Sequence, residues 1–216
     1  FQVNINTTDL QRAPAVATFS TNGNFIITWE DYRAGHDVWA QILSSNGTRI
    51  GLEFRVNTNV LTSATYSAVA TFSTSGTFII TWDSSGSAYD ISAQRFYSNG
   101  TRIGHEFRVN TNTISLQINP SVAVFSGNDN FIVTWEDFRT LTDFDIWGQL
   151  FHSNGTKIGS EFMVNTVQGG DQYSSTIATF SYSNNFIIIW TDSRSGDPDI
   201  WGRLFYPNGT EIGNEI

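Results

Sequence analysis

The chain has 216 residues and a formal net charge of −9; 39% of its residues are apolar, and only 14% are charged. An apolar fraction of this size can bury a core without disulfides or a structural metal. The absence of Cys excludes disulfides, Cys-ligated zinc and thiol catalysis. The 11 basic residues are scattered along the chain, which argues against nucleic acid or an anionic membrane as a partner. No apolar run approaches the roughly 18 residues of a membrane span. We expect no cofactor, no metal and no membrane insertion.

The sequence contains four copies of one unit, which span residues 1–53, 54–106, 107–161 and 162–216. Each copy opens with the motif Phe-x-Val-Asn, at Phe1, Phe54, Phe107 and Phe162. Tandem copies of so short a unit stack on their neighbours and share a core. We therefore predict a single repeat domain over residues 1–216.

Each copy predicts four β-strands, which we call A to D in chain order. In the first copy, strand A is Ala-Val-Ala at 15–17, strand B is Asn-Phe-Ile-Ile-Thr-Trp at 24–29, strand C begins at Asp37, and strand D follows an Asn-Gly pair. Strand B is apolar at consecutive positions, so both of its faces should be covered, whereas strand D alternates and should lie outermost. The small residues of strand A fit a crowded axis. The pattern predicts an all-β, β-propeller-like fold of four four-stranded antiparallel blades, without helices.

The ends of the chain suggest how the blades are completed. The first four residues read as the end of a D strand, and the fourth copy stops at Ile216, where its own D strand should begin. We therefore predict that Phe1, Gln2, Val3 and Asn4 complete the last blade. Within one chain this pairing would close a ring and remove an open sheet edge. Between chains it would donate a strand to a neighbouring molecule and produce a head-to-tail polymer.

The repeat also resembles a known one. Its core is Glu-Phe-Arg-Val-Asn-Thr at 53–58, Phe-Ile-Ile-Thr-Trp at 78–82 and Asp-Ile-Ser-Ala-Gln-Arg-Phe at 90–96. This pattern resembles a tandem repeat of about 50 residues found in large secreted microbial surface proteins of the adhesin type. The resemblance covers essentially the whole chain. It implies a propeller-like array in an extracellular or cell-surface setting, and it implies no catalytic residues.

The loop between strands B and C carries the candidate ligand-binding residues. In copies one, three and four it reads Trp-x-Asp-x-Arg, followed by an Asp and a second Trp; copy two lacks the Arg and has Ser92 in place of the second Trp. The loop could form a polar pocket with an aromatic platform for a sugar. Alternatively, an Asp–Arg pair fixes the loop and the Trp packs between blades, and we favour this structural interpretation. The candidate residues are Asp31, Arg33, Asp37, Trp39, Asp137, Arg139, Asp145, Trp147, Asp192, Arg194, Asp199 and Trp201.

An Asn-Gly-Thr triplet separates strands C and D in all four copies. Asn-Gly favours a type I′ hairpin turn, because both residues accept positive φ. The triplet is also an acceptor for N-glycosylation in a secretory pathway that attaches glycans, and Asn-Thr-Thr at residues 6–8 adds a fifth acceptor. The predicted acceptors are Asn6, Asn46, Asn99, Asn154 and Asn208.

The copies show no recognisable catalytic group. The three histidines fall at different positions of their copies, and adjacent carboxylates such as Glu30 and Asp31 point to opposite faces of a strand. Copies so similar in length also lack the specialised loops that enzymes built on propellers usually carry. We therefore predict that the protein is not an enzyme.

Two functional hypotheses follow from these patterns. The first is an extracellular structural or adhesive module that contacts itself or other surface proteins and glycans, and that can assemble into fibres by strand donation. The alternative is a lectin-like, carbohydrate-binding propeller that uses the B–C loops. Both hypotheses place the chain outside the cell or at its surface and give it no nucleic-acid partner.

Overall fold

A computed structural model describes residues 1–33, 35–86 and 89–216. These residues form four antiparallel sheets of four strands, each sheet in the chain order A-B-C-D, and they contain no helix. The predicted fold class, an all-β propeller-like arrangement of four blades, is confirmed. No helix long and apolar enough to cross a membrane occurs in this part of the chain.

The strands are β1 (Gln11–Thr18), β2 (Phe25–Asp31), β3 (Asp37–Leu43) and β4 (Arg49–Arg55) in blade 1; β5 (Ala64–Thr71), β6 (Phe78–Ser85), β7 (Tyr89–Phe96) and β8 (Arg102–Arg108) in blade 2; β9 (Gln117–Val124), β10 (Phe131–Asp137), β11 (Asp145–Phe151) and β12 (Lys157–Met163) in blade 3; and β13 (Gln172–Thr179), β14 (Phe186–Asp192), β15 (Asp199–Phe205) and β16 (Glu211–Ile212) in blade 4.

Burial follows the order that the sequence predicted. The B strand of blade 3, β10, is buried at every position, because blades cover both of its faces. The four A strands pack side by side along the axis. The D strands are the most exposed, as predicted. The predicted alternation is wrong for β4, where Gly51 and Leu52 are both exposed, because a register shift interrupts its pairing with β3.

Each inner strand contains a β-bulge at a residue with positive φ. These residues are Ala13, Tyr66, Asn119 and Ser174, with φ between 48° and 56°. Residues other than Gly rarely adopt this conformation, so tertiary contacts must hold it. The bulge takes these backbone N–H groups out of the regular ladder, and in blades 2 to 4 they bind carboxylates of the preceding blade.

Three hydrophobic clusters hold the blades together, one between each blade and the next. In the described part of the chain no such cluster joins blade 4 to blade 1. Positions that are buried elsewhere are therefore open on these two blades: Ile200 is 70% exposed, whereas its equivalents Val38, Ile91 and Ile146 are 0% exposed. The ring of blades is open at this point.

Residues 1–4 do not complete blade 4. The fourth strand of that blade is its own β16, and beyond it Ile216 exchanges two backbone hydrogen bonds of 2.9 Å with Gly202. Residues 1–4 lie against blade 1 instead, where Arg49 donates hydrogen bonds to the carbonyls of Gln2 and Val3 at 2.5 and 2.9 Å. The predicted completion within one chain is wrong, because the edge of β15 is already paired. Donation between chains would require β16 and Ile216 to leave this edge first, and it stays a prediction.

The Asn-Gly pair forms a different turn from the one predicted. Gly47 has a φ of 85°, but Asn46 is not among the residues with positive φ. Gly47 N–H donates to the carbonyl of Ser44, and Ser44 N–H donates to the carbonyl of Thr48, both at 2.8 Å. The predicted type I′ turn is wrong, because the loop has three residues and ends in a G1 bulge that requires positive φ at Gly only.

The open face of blade 4 gives a matched test of this fold. Ile146 is buried between blades 3 and 4, whereas Ile200 occupies the equivalent position on the open face. We expect Ile146→Ala to lower the free energy of unfolding by about 2–4 kcal/mol, because it leaves a cavity. Ile200→Ala should lower it by less than about 0.5 kcal/mol. Urea denaturation measures both changes, and equal losses would show that the face of blade 4 is covered in solution.

Candidate functional site

Three buried carboxylates occupy one equivalent position, directly after the Trp of strand B. Each accepts a hydrogen bond from the backbone N–H at the bulge of the next blade, so all three reach the axis. The fourth copy has Thr191 at this position. The contacts are Tyr66 N–H to Glu30 at 2.9 Å, Asn119 N–H to Asp83 at 3.4 Å, and Ser174 N–H to Glu136 at 2.8 Å.

The second partner of each carboxylate differs from blade to blade. Glu30 forms an ion pair of 2.8 Å with Arg12 of its own inner strand. Thr65 takes the place of Arg12 in blade 2, and its hydroxyl donates to Asp83. The side-chain amide of Asn119 donates to Glu136 at 2.9 Å. Only the carboxylate of blade 1 is therefore balanced by a cation of its own blade.

The carboxylates without a cation of their own blade have raised pKa values. Burial raises the pKa of Asp83 from 3.8 to about 7, and repulsion from Glu30 and Glu136 adds to the rise. The hydrogen bonds from Thr65 and Asn119 oppose it only in part. Burial also raises the pKa of Glu136. A carboxyl group that is partly protonated near neutral pH can donate a proton, and such groups cluster at functional sites.

Asp83 lines a cavity of about 370 Å³, which lies beside the bulges of the inner strands. The walls include Tyr66 and Tyr89, two residues that are 49% and 37% exposed, together with Arg12, His36 and Asn119. A second cavity of about 310 Å³ shares Tyr66 and Asn119 with the first and is lined by the bulges of all four inner strands. We call the two cavities together the axial cleft. Exposed tyrosines beside a carboxylate, an amide and a cation match the apolar faces and hydroxyl groups of a sugar.

The candidate residues of the B–C loops form an ion-pair cluster in blades 1, 3 and 4. In blade 1, Arg33 donates Nε and Nη2 to Asp31 at 2.9 and 2.5 Å and donates Nη1 to Glu53 at 2.6 Å. Burial alone would raise the pKa of Asp31, but the hydrogen bonds from Arg33 outweigh it and hold the pKa below 3.8. The predicted Asp–Arg pair is confirmed in all three blades; the other two pairs are Arg139 with Asp137 and Arg194 with Asp192.

The second Trp of these loops is covered on one face by the same arginine. The guanidinium carbon lies 4.0 Å from the ring centroid of Trp39, 3.5 Å from that of Trp147 and 4.2 Å from that of Trp201. Trp147 and Trp201 also pack against the clusters between blades. The structure therefore gives these rings a packing role, and sugar binding at the B–C loops stays a prediction.

The second Asp of each loop lies directly opposite the first on the neighbouring strand, but it has different hydrogen-bond partners. Asp37 and Asp145 accept hydrogen bonds from the side-chain amides of Asn57 and Asn165 at 2.7 and 2.8 Å, and so join the Phe-x-Val-Asn motif to strand C. Asp199 is exposed and binds the hydroxyl of Ser195 at 3.1 Å. Within the described ranges no group of three His, Asp or Glu side chains could hold a metal ion.

The predicted glycosylation acceptors lie at accessible positions. Asn46, Asn99, Asn154 and Asn208 are exposed in their turns, and Asn6 is half-buried. Their modification stays a prediction.

Sequence reasoning missed the residues of the axial cleft. The signal was the residue after the strand B Trp, which is Glu30, Asp83 and Glu136 in three of the four copies. That Glu30 and Asp31 point to opposite faces is borne out, since Glu30 reaches the axis and Asp31 binds Arg33. This geometry argues against a catalytic pair within one copy, but it does not bear on carboxylates that come from different blades. The sequence gives no indication of Tyr66 and Asn119, because the strand pattern does not reveal the bulges at which they lie.

No protein-family model and no curated protein matches this chain in sequence. Solved structures match its fold. An N-acetylgalactosamine deacetylase from F. plautii, solved with blood group B trisaccharide, has a TM-score of 0.64 and 9% identity over 99% of this chain and 73% of its own. The GH93 α-L-arabinofuranosidase of Fusarium graminearum, solved with arabinobiose, has a TM-score of 0.65 and 13% identity over 99% and 69%. An endo-arabinase from Bacteroides thetaiotaomicron has a TM-score of 0.61 and 12% identity over 100% and 84%. At these identities the likeness establishes the fold alone.

These matches contradict the prediction that the protein is not an enzyme. Arabinofuranosidases, arabinanases, a sialidase and a deacetylase have folds similar to that of this chain. The prediction rested on the regular length of the copies. In this structure the polar groups gather at bulges of the inner strands, which leave the length of each copy unchanged, so a regular repeat does not argue against catalysis.

Proposed function

We propose that the chain is a carbohydrate-binding propeller that takes its glycan in the axial cleft. The observation that carries the proposal is the presence of two exposed tyrosines, Tyr66 and Tyr89, beside the buried Asp83 in one cavity of about 370 Å³. Tyrosine faces would pack against the C–H faces of a sugar ring, and the carboxylate and the Asn119 amide would bind its hydroxyl groups. The cavity has the size of a small-molecule site.

The comparisons support a glycan as the ligand class. Three of the similar structures were solved with an oligosaccharide, two with arabinobiose and one with blood group B trisaccharide. The adhesive, fibre-forming role predicted first has no such support. The proposed site also differs from the B–C loops of the lectin hypothesis, where the arginines already cover one face of each Trp. We also propose that the chain acts outside the cell, where polymeric glycans are found.

A glycan array followed by calorimetry with the best ligand tests the proposal. We expect Tyr66→Ala and Tyr89→Ala each to weaken binding by about 10-fold or more, because each removes an aromatic contact. Tyr182→Ala is the matched control, since Tyr182 is fully exposed in the turn at the other end of blade 4 and should bind as the wild type does. Binding that survives both axial variants and is lost in Trp39→Ala would move the site to the B–C loops. The absence of any glycan ligand would overturn the proposal.

Hydrolysis of the bound glycan is a second candidate function, favoured by the raised pKa of Asp83. Most glycoside hydrolases use one carboxyl group as a proton donor and a second, ionised carboxylate as nucleophile or base. Asp83 would serve as the donor, and Glu30, in its ion pair with Arg12, would serve as the ionised partner.

A panel of aryl glycosides that includes α-L-arabinofuranosides tests this second candidate. We expect turnover that declines as the pH rises through about 7, where Asp83 loses its proton. Asp83→Asn should reduce the turnover by at least about 100-fold while keeping the glycan bound. Turnover that is unchanged in Asp83→Asn would exclude Asp83 as the acid.

A further inference from the structure

Arg95 occupies a position where the other blades carry an aliphatic side chain. It lies in strand C of blade 2, and the equivalent residues are Ile42, Leu150 and Leu204. The stem of Arg95 keeps the packing role of these residues, since its Cδ lies beside Gly155 of blade 3, as the Cδ1 of Leu150 lies beside Gly209 of blade 4. The cationic end of the side chain has no such packing role.

The charge of Arg95 is not balanced within the described residues. Its Nη1 donates a hydrogen bond of 2.9 Å to the carbonyl of Asn154, its Nε is buried without an acceptor, and no described carboxylate forms an ion pair with it. Burial lowers its pKa. The loop arginines Arg33, Arg139 and Arg194, in contrast, each pair with two carboxylates. A half-buried cation without a counter-ion is costly unless an anion joins it.

Arg95 lines a cavity of about 320 Å³ between blades 2 and 3. The cavity lies at the A–B turns, at the opposite end of the blades from the axial cleft. Asp129 also lines it, but both oxygens of that carboxylate are already occupied, by the N–H groups of Thr74 at 3.1 Å and Ser75 at 3.0 Å. The other polar walls are hydroxyl and amide groups, from Thr74, Ser75, Thr77, Tyr97, Asn128 and Asn154.

We propose that this cavity binds the carboxylate of an acidic sugar, with the Arg95 guanidinium as its counter-ion. The planar guanidinium presents two parallel N–H donors to a carboxylate. The hydroxyl groups around it both donate and accept hydrogen bonds, as the hydroxyls of a sugar do. The site is separate from the axial cleft, so a ligand at one end leaves the other end free.

Calorimetry with a panel of acidic sugars tests the site, using oligomers of galacturonate, glucuronate and sialic acid, with neutral galactose oligomers as the control ligand. We expect at least one acidic sugar to bind, to bind more weakly as salt increases, and to lose about 10-fold or more in affinity in Arg95→Leu. This variant introduces the residue that blades 3 and 4 carry, so we expect it to fold and to unfold about 2–4 °C higher than the wild type. Tyr66→Ala should leave this binding unchanged.

Arg95→Lys is a second variant that keeps the charge and removes the planar fork. It should lose several-fold in affinity, less than Arg95→Leu loses. The proposal would be overturned if no acidic sugar binds, if both Arg95 variants bind as the wild type does, or if inorganic sulfate binds as tightly as the best acidic sugar, which would indicate an anion site without sugar recognition.

Discussion

Between about pH 5 and about pH 8 the protein should lose on the order of 2–3 kcal/mol of its free energy of unfolding through Asp83 alone. The pKa of Asp83 is about 7 in the folded protein and 3.8 without the fold, so the folded state binds the proton more tightly. Its contribution is fully present below about pH 3.8 and is lost as the pH rises through about 7. Asp83→Asn cannot ionise and should remove this loss, so the variant should be the more stable protein at about pH 8. Urea denaturation at a series of pH values measures both curves.

Asp129→Asn is the matched control, because it should change the pH dependence in the opposite direction. Burial acts to raise the pKa of Asp129, but the hydrogen bonds from Thr74 and Ser75 outweigh it and lower the pKa below 3.8. Its contribution to stability is therefore present above pH 3.8 and lost as the pH falls. Asp129→Asn should destabilise the protein at neutral pH and less so in acid. Identical slopes for Asp83→Asn and the wild type would contradict the raised pKa of Asp83, and the hydrolytic function would then lose its proton donor.

Arg33→Ala should lower the free energy of unfolding by about 3–5 kcal/mol at neutral pH. Arg33 is the ion-pair partner of the fully buried Asp31, and it also binds Glu53 and covers Trp39. Without its side chain, burial of Asp31 is opposed only by the hydrogen bonds from Trp29 and from the backbone N–H at position 33, and the pKa of Asp31 should rise. The loss of stability should therefore shrink in acid, where Asp31 is protonated. Chemical denaturation at neutral and acid pH measures this change.

Arg108→Ala is the control for Arg33→Ala. Arg108 is half-exposed and lies 3.8 Å from Asp90, and an exposed pair of this kind contributes less than about 1 kcal/mol. A loss of the same small size for Arg33→Ala would mean that water reaches Asp31 freely. The B–C loop would then be open to a ligand, in favour of the lectin hypothesis.

The sequence by itself determined the blades. The consecutive apolar residues of 25–29 require a strand that is covered on both faces, and the Asn-Gly pairs require hairpins, whatever the rest of the chain does. The Asp–Arg pair of the B–C loop was also visible, because its partners lie two residues apart at Asp31 and Arg33. The buried strand, the hairpin and the Asp–Arg pair depend on residues close together in the chain, so each copy that has these residues forms them.

Only the tertiary structure decided what happens between copies. Glu30 meets the bulge at Tyr66 of the next blade, 36 residues along the chain, because stacking the blades around one axis brings each strand B end to the neighbouring strand A. The same stacking buries Ile146 and leaves Ile200 open, places residues 1–4 against blade 1, and leaves Arg95 facing a cavity without a counter-ion. Periodicity in the sequence specifies which face of a strand a side chain takes. Which neighbour that face meets, and whether a buried charge finds a partner there, depends on how the blades stack, and the axial cleft is built from those contacts.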